Sequence, residues 1–253
     1  SSNYNTDLTG EENGLIAYWT FNEGSGDIVY DHSANQNHGT LNGPEWLTNV
    51  PDDNANNYAL SFDGVDDYVD FGYPLIEEIN STGSFSISID IENPENLAGG
   101  RLVTYTSQNP DNSFYVSLSS SQNGQGISFG VCQISGTANN DCNSASGVLD
   151  DPTQLTRVTG TYNQGEMKLY FNDDLISSSN YAGSDAQISP ESRLMLGRSW
   201  WINSWSEESS YLGKMKNLCI WDEALTLEQI QLLLENELET DPNMLGFWNF
   251  NEG

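Results

Sequence analysis

The sequence predicts an all-β protein, and two observations carry that prediction. From residue 15 onward, short runs of alternating apolar and polar residues are separated by Gly, Asn, Asp and Ser, a pattern typical of strands joined by turns. The run 85–91 alternates almost perfectly, which indicates one buried and one solvated face. Because roughly a dozen such runs follow one another at hairpin spacing, we expect an antiparallel sandwich or barrel.

The predicted strands are separated by breaks of hairpin length. The first clear pair flanks Asp63-Gly64, and an Asp-Gly dipeptide between alternating runs favours a tight turn. In order, the clearest runs are 58–62, 68–71, 85–91, 102–105, 114–118, 127–131, 158–162, 167–171, 194–196 and 212–221.

Residues 225–238 are the exception to the strand pattern. Thr226 is followed three residues later by Gln229, which is the capping-box spacing at a helix start. Apolar residues then fall on one face at helical spacing. These residues are Leu227, Ile230, Leu233 and Leu234. The pattern predicts one short C-terminal surface helix.

A repeated phrase divides the chain into modules. Residues 18–24 return as residues 247–253, with the same residue at five of the seven positions. We interpret residues 1–13 as a linker or tail, 14–240 as one module, and 241–253 as a linker with the first strand of a following repeat. Repeated modules are more typical of binding or adhesive arrays than of a single enzyme.

The chain is strongly acidic. It has 7 Lys and Arg against 37 Asp and Glu, a formal net charge of −30, which disfavours nucleic acid and anionic membranes as partners. No apolar run is long enough to span a membrane. The acidity indicates either a solvating surface suited to a saline exterior or carboxylates that hold calcium. Both interpretations place the protein outside the cell.

The three cysteines agree with an extracellular location. Cys132 and Cys142 bracket a polar segment between strand-like runs, so we expect a disulfide between them. Cys219 lies in an apolar run and is expected to be a small buried hydrophobe. Three free thiols in a reducing compartment are the alternative.

Five ordered motifs resemble laminin-G-like domains of the concanavalin A-like lectin/glucanase superfamily. The motifs occupy residues 14–26, 31–43, 59–69, 160–162 and 213–225. Together they cover about residues 14–237, and the resemblance implies a two-sheet antiparallel jelly-roll sandwich. The chain departs from the family pattern at Ala34, at 172–174 and at Asn217, where an acidic residue is common.

The early loop offers oxygen donors at every second position. They are Asp31, Ser33, Asn35 and Asn37, and such spacing can wrap one calcium ion. The resemblance implies a structural calcium between this loop and the last strand, with Asp31, Asn35, the His38 carbonyl and Asn217 as its ligands. A turn loop without metal is the alternative.

A tryptophan-rich polar segment is the predicted ligand site. Trp200, Trp201 and Trp205 lie close to Asn203 and Arg198. Aromatic rings can stack on the apolar faces of sugars, and amides can bind their hydroxyl groups. The alternative is that these tryptophans cover the edge of the sandwich.

The search for catalytic motifs gives no nucleophile elbow, zinc-protease helix or phosphate loop. The strand motif of related glucanases has three acidic residues, whereas 84–92 carries only Asp90 and Glu92.

We therefore expect a non-catalytic extracellular module of a larger secreted or surface protein, most simply one that binds a glycan. An adhesin or spacer is the alternative, and a cryptic glycoside hydrolase or lyase is the third. Expected partners are a glycan or cell-surface ligand and neighbouring modules.

Overall fold

The computed structural model describes residues 8–48, 58–93, 100–107, 113–120, 125–134, 141–181, 187–198 and 210–235. Within these ranges the strands are β1 (Leu15–Trp19), β2 (Ile28–Val29), β3 (Gly39–Asn42), β4 (Glu45–Thr48), β5 (Tyr58–Asp63), β6 (Tyr68–Asp70), β7 (Ser84–Glu92), β8 (Arg101–Ser107), β9 (Ser113–Ser120), β10 (Gly126–Ile134), β11 (Asp141–Val148), β12 (Thr156–Asn163), β13 (Glu166–Phe171), β14 (Asp174–Asn180), β15 (Ser192–Leu196) and β16 (Leu212–Trp221). The helices are α1 (Ile76–Thr82) and α2 (Leu227–Glu235).

The strands form two antiparallel sheets of eight strands each. Sheet A has the order β14-β13-β12-β7-β16-β5-β4, with β1 paired to the other end of β16. Sheet B has the order β11-β10-β9-β8-β15-β6-β3-β2. The predicted two-sheet antiparallel sandwich with a short C-terminal helix is confirmed.

The main core fills the space between the sheets with aromatic and branched side chains. From sheet A, Trp19, Phe62 and Ile87 are at most 1% exposed, and sheet B contributes residues such as Phe129 and Tyr105. Burial of each such side chain contributes about 1.5–3 kcal/mol. The alternating sequence therefore places one face of every central strand in this core.

The solvated face predicted for β7 is wrong. Ser86, Ser88 and Asp90 alternate with the core residues as expected, but all three are at most 3% exposed. Polar neighbours on the outer face of sheet A bury them. Ser86 is an example, because its hydroxyl donates to the Glu223 carbonyl (2.8 Å) and accepts from the Leu225 amide (2.9 Å). Strand period alone does not reveal that a second layer lies on that face.

This second layer is α2, which packs on the outer face of sheet A. Its capping box forms as predicted, since the Thr226 amide donates to Gln229 Oε1 (2.8 Å) and the Gln229 amide donates to Thr226 Oγ1 (3.3 Å). Ile230 and Leu233 are buried, but Leu227 is largely exposed and does not share their face. The buried cluster beneath the helix comprises Leu8, Leu15, Tyr18, Tyr170, Cys219, Trp221, Leu225, Ile230 and Leu233.

A buried polar cluster joins α2 to sheet A. Arg157 makes a two-point ion pair with Asp90, with nitrogen–oxygen distances of 2.7 and 2.9 Å. Its remaining guanidinium nitrogen donates to the Leu233 carbonyl of α2 (2.8 Å). Asn217 Nδ2 also donates to Asp90 (2.8 Å). Although burial alone would lower it, the pKa of Arg157 is raised because the Asp90 carboxylate stabilises the charge.

Helix α1 was not predicted from the sequence. It is only seven residues long, and its N-cap Leu75 has a left-handed backbone (φ 66°) and no side-chain cap hydrogen bond. The usual start signal is therefore missing. Ile76 and Ile79 nevertheless bury their side chains in the main core. Neither described helix is long and apolar enough to cross a membrane.

The edge strands β11 and β14 of the two sheets approach each other. Asn143 on β11 donates to the Asn180 carbonyl (2.6 Å) and accepts from Ser179 Oγ (2.9 Å) on β14. Gly147 has no room for a side chain, because a Cβ there would lie 2.1 Å from Ile176. These contacts close one side of the sandwich.

The buried ion pair gives a stability prediction. Asp90→Ala should cost about 3–5 kcal/mol in the free energy of unfolding, because it leaves the Arg157 charge buried without its partner. The control is Glu166→Ala, which breaks the partly exposed Lys168–Glu166 pair and should cost at most about 1 kcal/mol. Urea unfolding measures both values. Equal costs would show that the Arg157–Asp90 pair is not a major contact.

Candidate functional site

The loop that leads into β3 is organised around the carboxylate of Asp31. Its Oδ1 accepts the backbone amides of Tyr18 and Ser33, both at 2.9 Å. Its Oδ2 accepts the Ser33 hydroxyl (3.0 Å) and the Asn37 amide (2.8 Å). A carboxylate has about four lone-pair positions, so four donors saturate it. Asp31 therefore acts here as the centre of a turn.

Asn35 and His38 also take part in this hydrogen-bonded loop. Asn35 Nδ2 donates to the Ile16 carbonyl (3.0 Å). His38 Nδ1 accepts the Asp31 amide (3.1 Å), and its ring meets the Tyr30 ring edge-on, with centroids 5.1 Å apart. Both side chains are used to hold the turn.

Asn217, the fourth predicted calcium ligand, lies across β1 from this loop. Asp31 pairs with Trp19 on one side of β1, whereas β16 pairs with the other side. Strands that flank a common strand are about 10 Å apart. Asn217 also turns its side chain to Asp90, and its Oδ1 is buried with no hydrogen-bond partner among the described residues. These contacts do not show the four predicted ligands around one point, and the set of Asp31, Asn35, the His38 carbonyl and Asn217 stays a prediction.

A different set of carboxylates converges at the turn between β5 and β6. One ligand oxygen each from Asp63, Asp66 and Asp67 lies within 4.8 Å of the others. Asp67 is almost buried, and desolvation raises its pKa, to which the charges of Asp63 and Asp66 add. Carboxylate oxygens are the ligands that hard divalent cations prefer. This cluster could hold a metal ion, which the sequence motif alone did not indicate.

The outer face of sheet B, here called the open face, is rich in hydroxyl groups. Alternation places Phe129 and Leu118 in the core, so the residues between the core positions point outward. The register aligns Ser144, Gly130, Ser117 and Thr104 across four strands, and Ser146, Ser128 and Ser119 in the next row. In the first row only Ser144 is exposed, because Gly130, Ser117 and Thr104 are buried, whereas the second row is exposed or half-buried. No described helix packs on these rows.

An aromatic side chain stands at one end of the open face. Tyr73 is 56% exposed, and the guanidinium of Arg193 lies 5.0 Å from the centre of its ring. Arg193 also donates to the Tyr73 hydroxyl (3.4 Å) and makes a two-point ion pair with Asp70. These contacts hold the tyrosine ring in one orientation.

Tyr73 also borders a cleft beside α1. The cleft has a volume of about 630 Å³, within the range of about 300–1,000 Å³ that is usual for ligand sites. Its polar lining includes Asn37, Glu77, Glu78 and Ser81. Sequence reasoning missed this site, because it is assembled from separate loops and from the unpredicted α1.

Most of the predicted tryptophan site lies outside the described residues. This applies to Trp200, Trp201, Asn203 and Trp205. Arg198 is described, and its carbonyl accepts the Thr104 hydroxyl (3.0 Å). Arg198 therefore lies beside Thr104 of β8.

The cysteines have different structural roles. Cys132 and Cys142 stand opposite each other on β10 and β11 and form a disulfide. Cys219 is a free thiol beneath α2, and burial raises its pKa.

The two acidic residues of β7 are engaged in ion pairs. Asp90 binds Arg157, and Glu92 binds Lys214 Nζ (2.5 Å). Their carboxylates are therefore held by fixed cations.

A family model described as the concanavalin A-like lectin/glucanases superfamily matches residues 63–231, about two thirds of the chain. The chain belongs to this superfamily. The predicted resemblance and the jelly-roll fold are thereby confirmed. The comparison with curated proteins found no match.

Solved structures show the same fold at low sequence identity. Domain 4 of AbnA, an extracellular GH43 arabinanase from Geobacillus stearothermophilus in complex with arabinotriose, is 18% identical with a TM-score of 0.63. That match covers 88% of this chain and all of the other. The receptor-binding domain of botulinum neurotoxin C/D mosaic serotype is 15% identical with a TM-score of 0.63, over 88% of this chain and 51% of the other.

A similar fold also occurs within an enzyme chain. The sialidase of Trypanosoma rangeli is 14% identical with a TM-score of 0.58, and the match covers 89% of this chain and 33% of the sialidase. Hence the fold alone does not decide between binding and catalysis.

The raised pKa of Asp67 predicts a pH effect in metal-free buffer. The folded state binds this proton more tightly than the unfolded state, whose pKa is near the ordinary 3.8. The stabilising contribution of the protonated Asp67 carboxyl is therefore present at low pH, and it is lost as the pH rises through the pKa that this carboxyl has in the folded state. We expect Asp67→Asn to be more stable than the native chain at pH 7, with a smaller advantage at pH 4.5.

Urea unfolding at the two pH values measures this difference. Asp27→Asn is the control for the loss of one exposed charge. An advantage of Asp67→Asn that grows at pH 4.5, or that Asp27→Asn reproduces, would contradict the assignment.

Proposed function

We propose that this superfamily member is a non-catalytic carbohydrate-binding module of an extracellular, multi-modular protein. The observation that carries the proposal is the exposed ring of Tyr73, which Arg193 braces beside the cleft. The serines of the open face that reach the surface, Ser128, Ser144 and Ser146, support it. A sugar presents an apolar face and a rim of hydroxyl groups. The tyrosine ring offers stacking area, while serine, amide and carboxylate groups nearby exchange hydrogen bonds with the rim.

The braced geometry of Tyr73 favours binding over incidental exposure. The Tyr73 ring is held by Arg193, which Asp70 holds in turn. Such a ring loses little conformational freedom when a ligand stacks on it, so more of the contact energy appears as affinity. The adjacent cleft extends the contact from one ring face to a concave surface.

Two similar structures support a glycan ligand. The arabinanase domain was solved with arabinotriose, and a botulinum neurotoxin DC binding domain, 16% identical to this chain, was solved with SialylT. The predicted residues Trp200, Trp201, Trp205, Asn203 and Arg198 remain part of the proposal as additional ligand contacts. Arg198, the described residue of this set, lies beside Thr104 of β8.

An adhesin or spacer module is the second candidate function. The repeated phrase at 18–24 and 247–253 favours an array of modules, which suits both a glycan-binding and a protein-binding array. The disulfide between Cys132 and Cys142 supports an extracellular location in either case.

The glycan proposal predicts a loss of binding in Tyr73→Ala. On a panel of polysaccharides and oligosaccharides that includes arabinan and sialylated glycans, the native chain should bind at least one ligand. Tyr73→Ala should weaken that binding at least tenfold without a change in the unfolding temperature. Leu175→Ala, which alters a similarly exposed residue on β14, is the matched control.

Several outcomes would count against the proposal. Equal weakening by both variants would exclude the Tyr73 site. A native chain that binds no glycan would leave the adhesin or spacer, and release of sugar products from a polysaccharide would indicate an enzyme.

We also infer that a calcium ion stabilises the fold. The carboxylate cluster of Asp63, Asp66 and Asp67 supports this inference better than the hydrogen-bonded loop around Asp31, whose acceptors are already occupied. Millimolar calcium should raise the unfolding temperature relative to EGTA, as expected when an ion binds only the folded state.

Asp66→Asn tests where calcium binds. This exposed residue has no other described contact in the cluster, so its loss should reduce the calcium shift by at least half, while Asp27→Asn leaves the shift unchanged. If Asp31→Asn abolishes the shift and Asp66→Asn does not, the ion binds at the early loop instead.

A further inference from the structure

Strand β1 holds an edge position in sheet A, where β16 is the one described strand that pairs with it. Its register partners are all on β16, from Leu15 opposite Trp221 to Trp19 opposite Leu218, with an irregularity between Leu15 and Ala17. On its other side lies the Asp31 loop. Edge strands are the elements that proteins most readily exchange between copies.

The β1 position is a deep slot that buries side chains on both faces. Ala17 and Trp19 enter the main core, while Leu15 and Tyr18 enter the cluster beneath α2. Phe21, just beyond the strand, is also fully buried. Any strand that fills this slot must therefore offer apolar residues on both faces.

The sequence of residues 244–253, which lie outside the described residues, aligns with that of residues 15–24 position by position and without a gap. They align with residues 15–24 at a constant offset of 229. In this alignment, Met244, Leu245, Gly246 and Phe247 correspond to Leu15, Ile16, Ala17 and Tyr18, which line the slot. Residues 248–253 read Trp-Asn-Phe-Asn-Glu-Gly against Trp-Thr-Phe-Asn-Glu-Gly. Apolar residues thus occur on both faces in the same order.

Sequence identity between the two segments is concentrated at the positions whose side chains make specific hydrogen bonds. The Trp19 indole donates to the Asn37 carbonyl (2.8 Å), Asn22 Oδ1 accepts the Tyr58 amide (3.2 Å), and Glu23 Oε1 accepts the Tyr30 amide (2.9 Å).

Gly24 has a left-handed backbone, and a Cβ there would lie 2.6 Å from the Tyr58 ring. The second copy of the phrase keeps Trp248, Asn251, Glu252 and Gly253 at the matching positions. At positions 15–18, where the slot mainly requires apolar side-chain volume, the second copy has different residues.

We propose that the β1 position is a strand-exchange site, and that its second occupant is the segment 244–253 of another copy of this chain. Exchange replaces each contact by a closely similar one, so the two occupants differ little in intrinsic affinity. The chain's own β1 has the advantage of covalent attachment, which gives it a high effective concentration. The segment from another copy takes the slot when β1 is weakened, and copies are then joined head to tail.

The register supplies a chemical test of this exchange. Tyr18 stands directly opposite Cys219, which is a free thiol. In Trp19→Ala/Phe247→Cys, a segment that occupies the slot would place the introduced thiol opposite Cys219. Oxidised glutathione should then form a disulfide by thiol exchange. The expected product is a covalent dimer or higher oligomer that contains a mapped link from residue 247 to residue 219.

A matched thiol on the same segment is the control. Asn249→Cys corresponds to Thr20, which lies beyond the last β1–β16 register pair, Trp19 opposite Leu218. In the Trp19→Ala background its yield of cross-linked species should be at least tenfold lower. Equal yields from both thiols, or no link to residue 219, would overturn the proposal.

A second measurement decides the case in which Trp19→Ala does not fold by itself. Trp248→Ala should leave the native chain unchanged. In the milder Ile16→Ala background, it should abolish a concentration-dependent dimer that light scattering detects. If Trp248→Ala has the same effect in both backgrounds, or if Ile16→Ala remains monomeric at high concentration, the segment does not compete for the slot.

Discussion

The ion pair between Arg157 and Asp90 is the contact on which the outer layer of this sandwich depends. It lies between two central strands of sheet A, and the third guanidinium nitrogen reaches the carbonyl of Leu233 at the end of α2. One arginine thus fixes the strand pair and the helix together. Asn217 joins the same carboxylate from the irregular part of β16. The apolar cluster beneath α2 can close because the charge within this layer is compensated.

The protein has few cationic side chains to balance its acidic residues. It has seven lysines and arginines, and four of them make described ion pairs with acidic residues, through Asp90, Glu166, Asp70 and Glu92. Most carboxylates therefore have no cation of the chain beside them. Their mutual repulsion depends on salt, and a cluster such as that of Asp63, Asp66 and Asp67 increases it locally. Dissolved cations can neutralise the carboxylates that have no Lys or Arg side chain beside them.

The sequence predicted the fold well because strand alternation and turn residues are local signals. The helix boundaries at Thr226 and Gln229 were equally local. The buried outer face of β7 was not predictable, because it depends on α2, which is more than 130 residues away. The candidate ligand surface was missed for the same reason, since Tyr73, Arg193 and Asp70 meet only through the pairing of β6 with β15. The calcium ligand set was inferred from resemblance, but Asp31 has its acceptors filled by local donors.

The position of β16 has a consequence for the order in which the chain can fold. This strand, the last of the described strands in chain order, lies between β7 and β5 and also carries β1, so sheet A has a gap at its centre until residue 221 has been synthesised. During translation, Trp19 and Phe62 lack their partner strand β16 until about 150–200 further residues have been synthesised. Such a large sequence separation slows folding. Sheet B has a similar gap between β8 and β6, but β15 fills it earlier, at Ser192–Leu196, and its strands β8 to β11 already pair in chain order. Synthesis therefore favours a half-built molecule in which sheet B forms first and sheet A closes last.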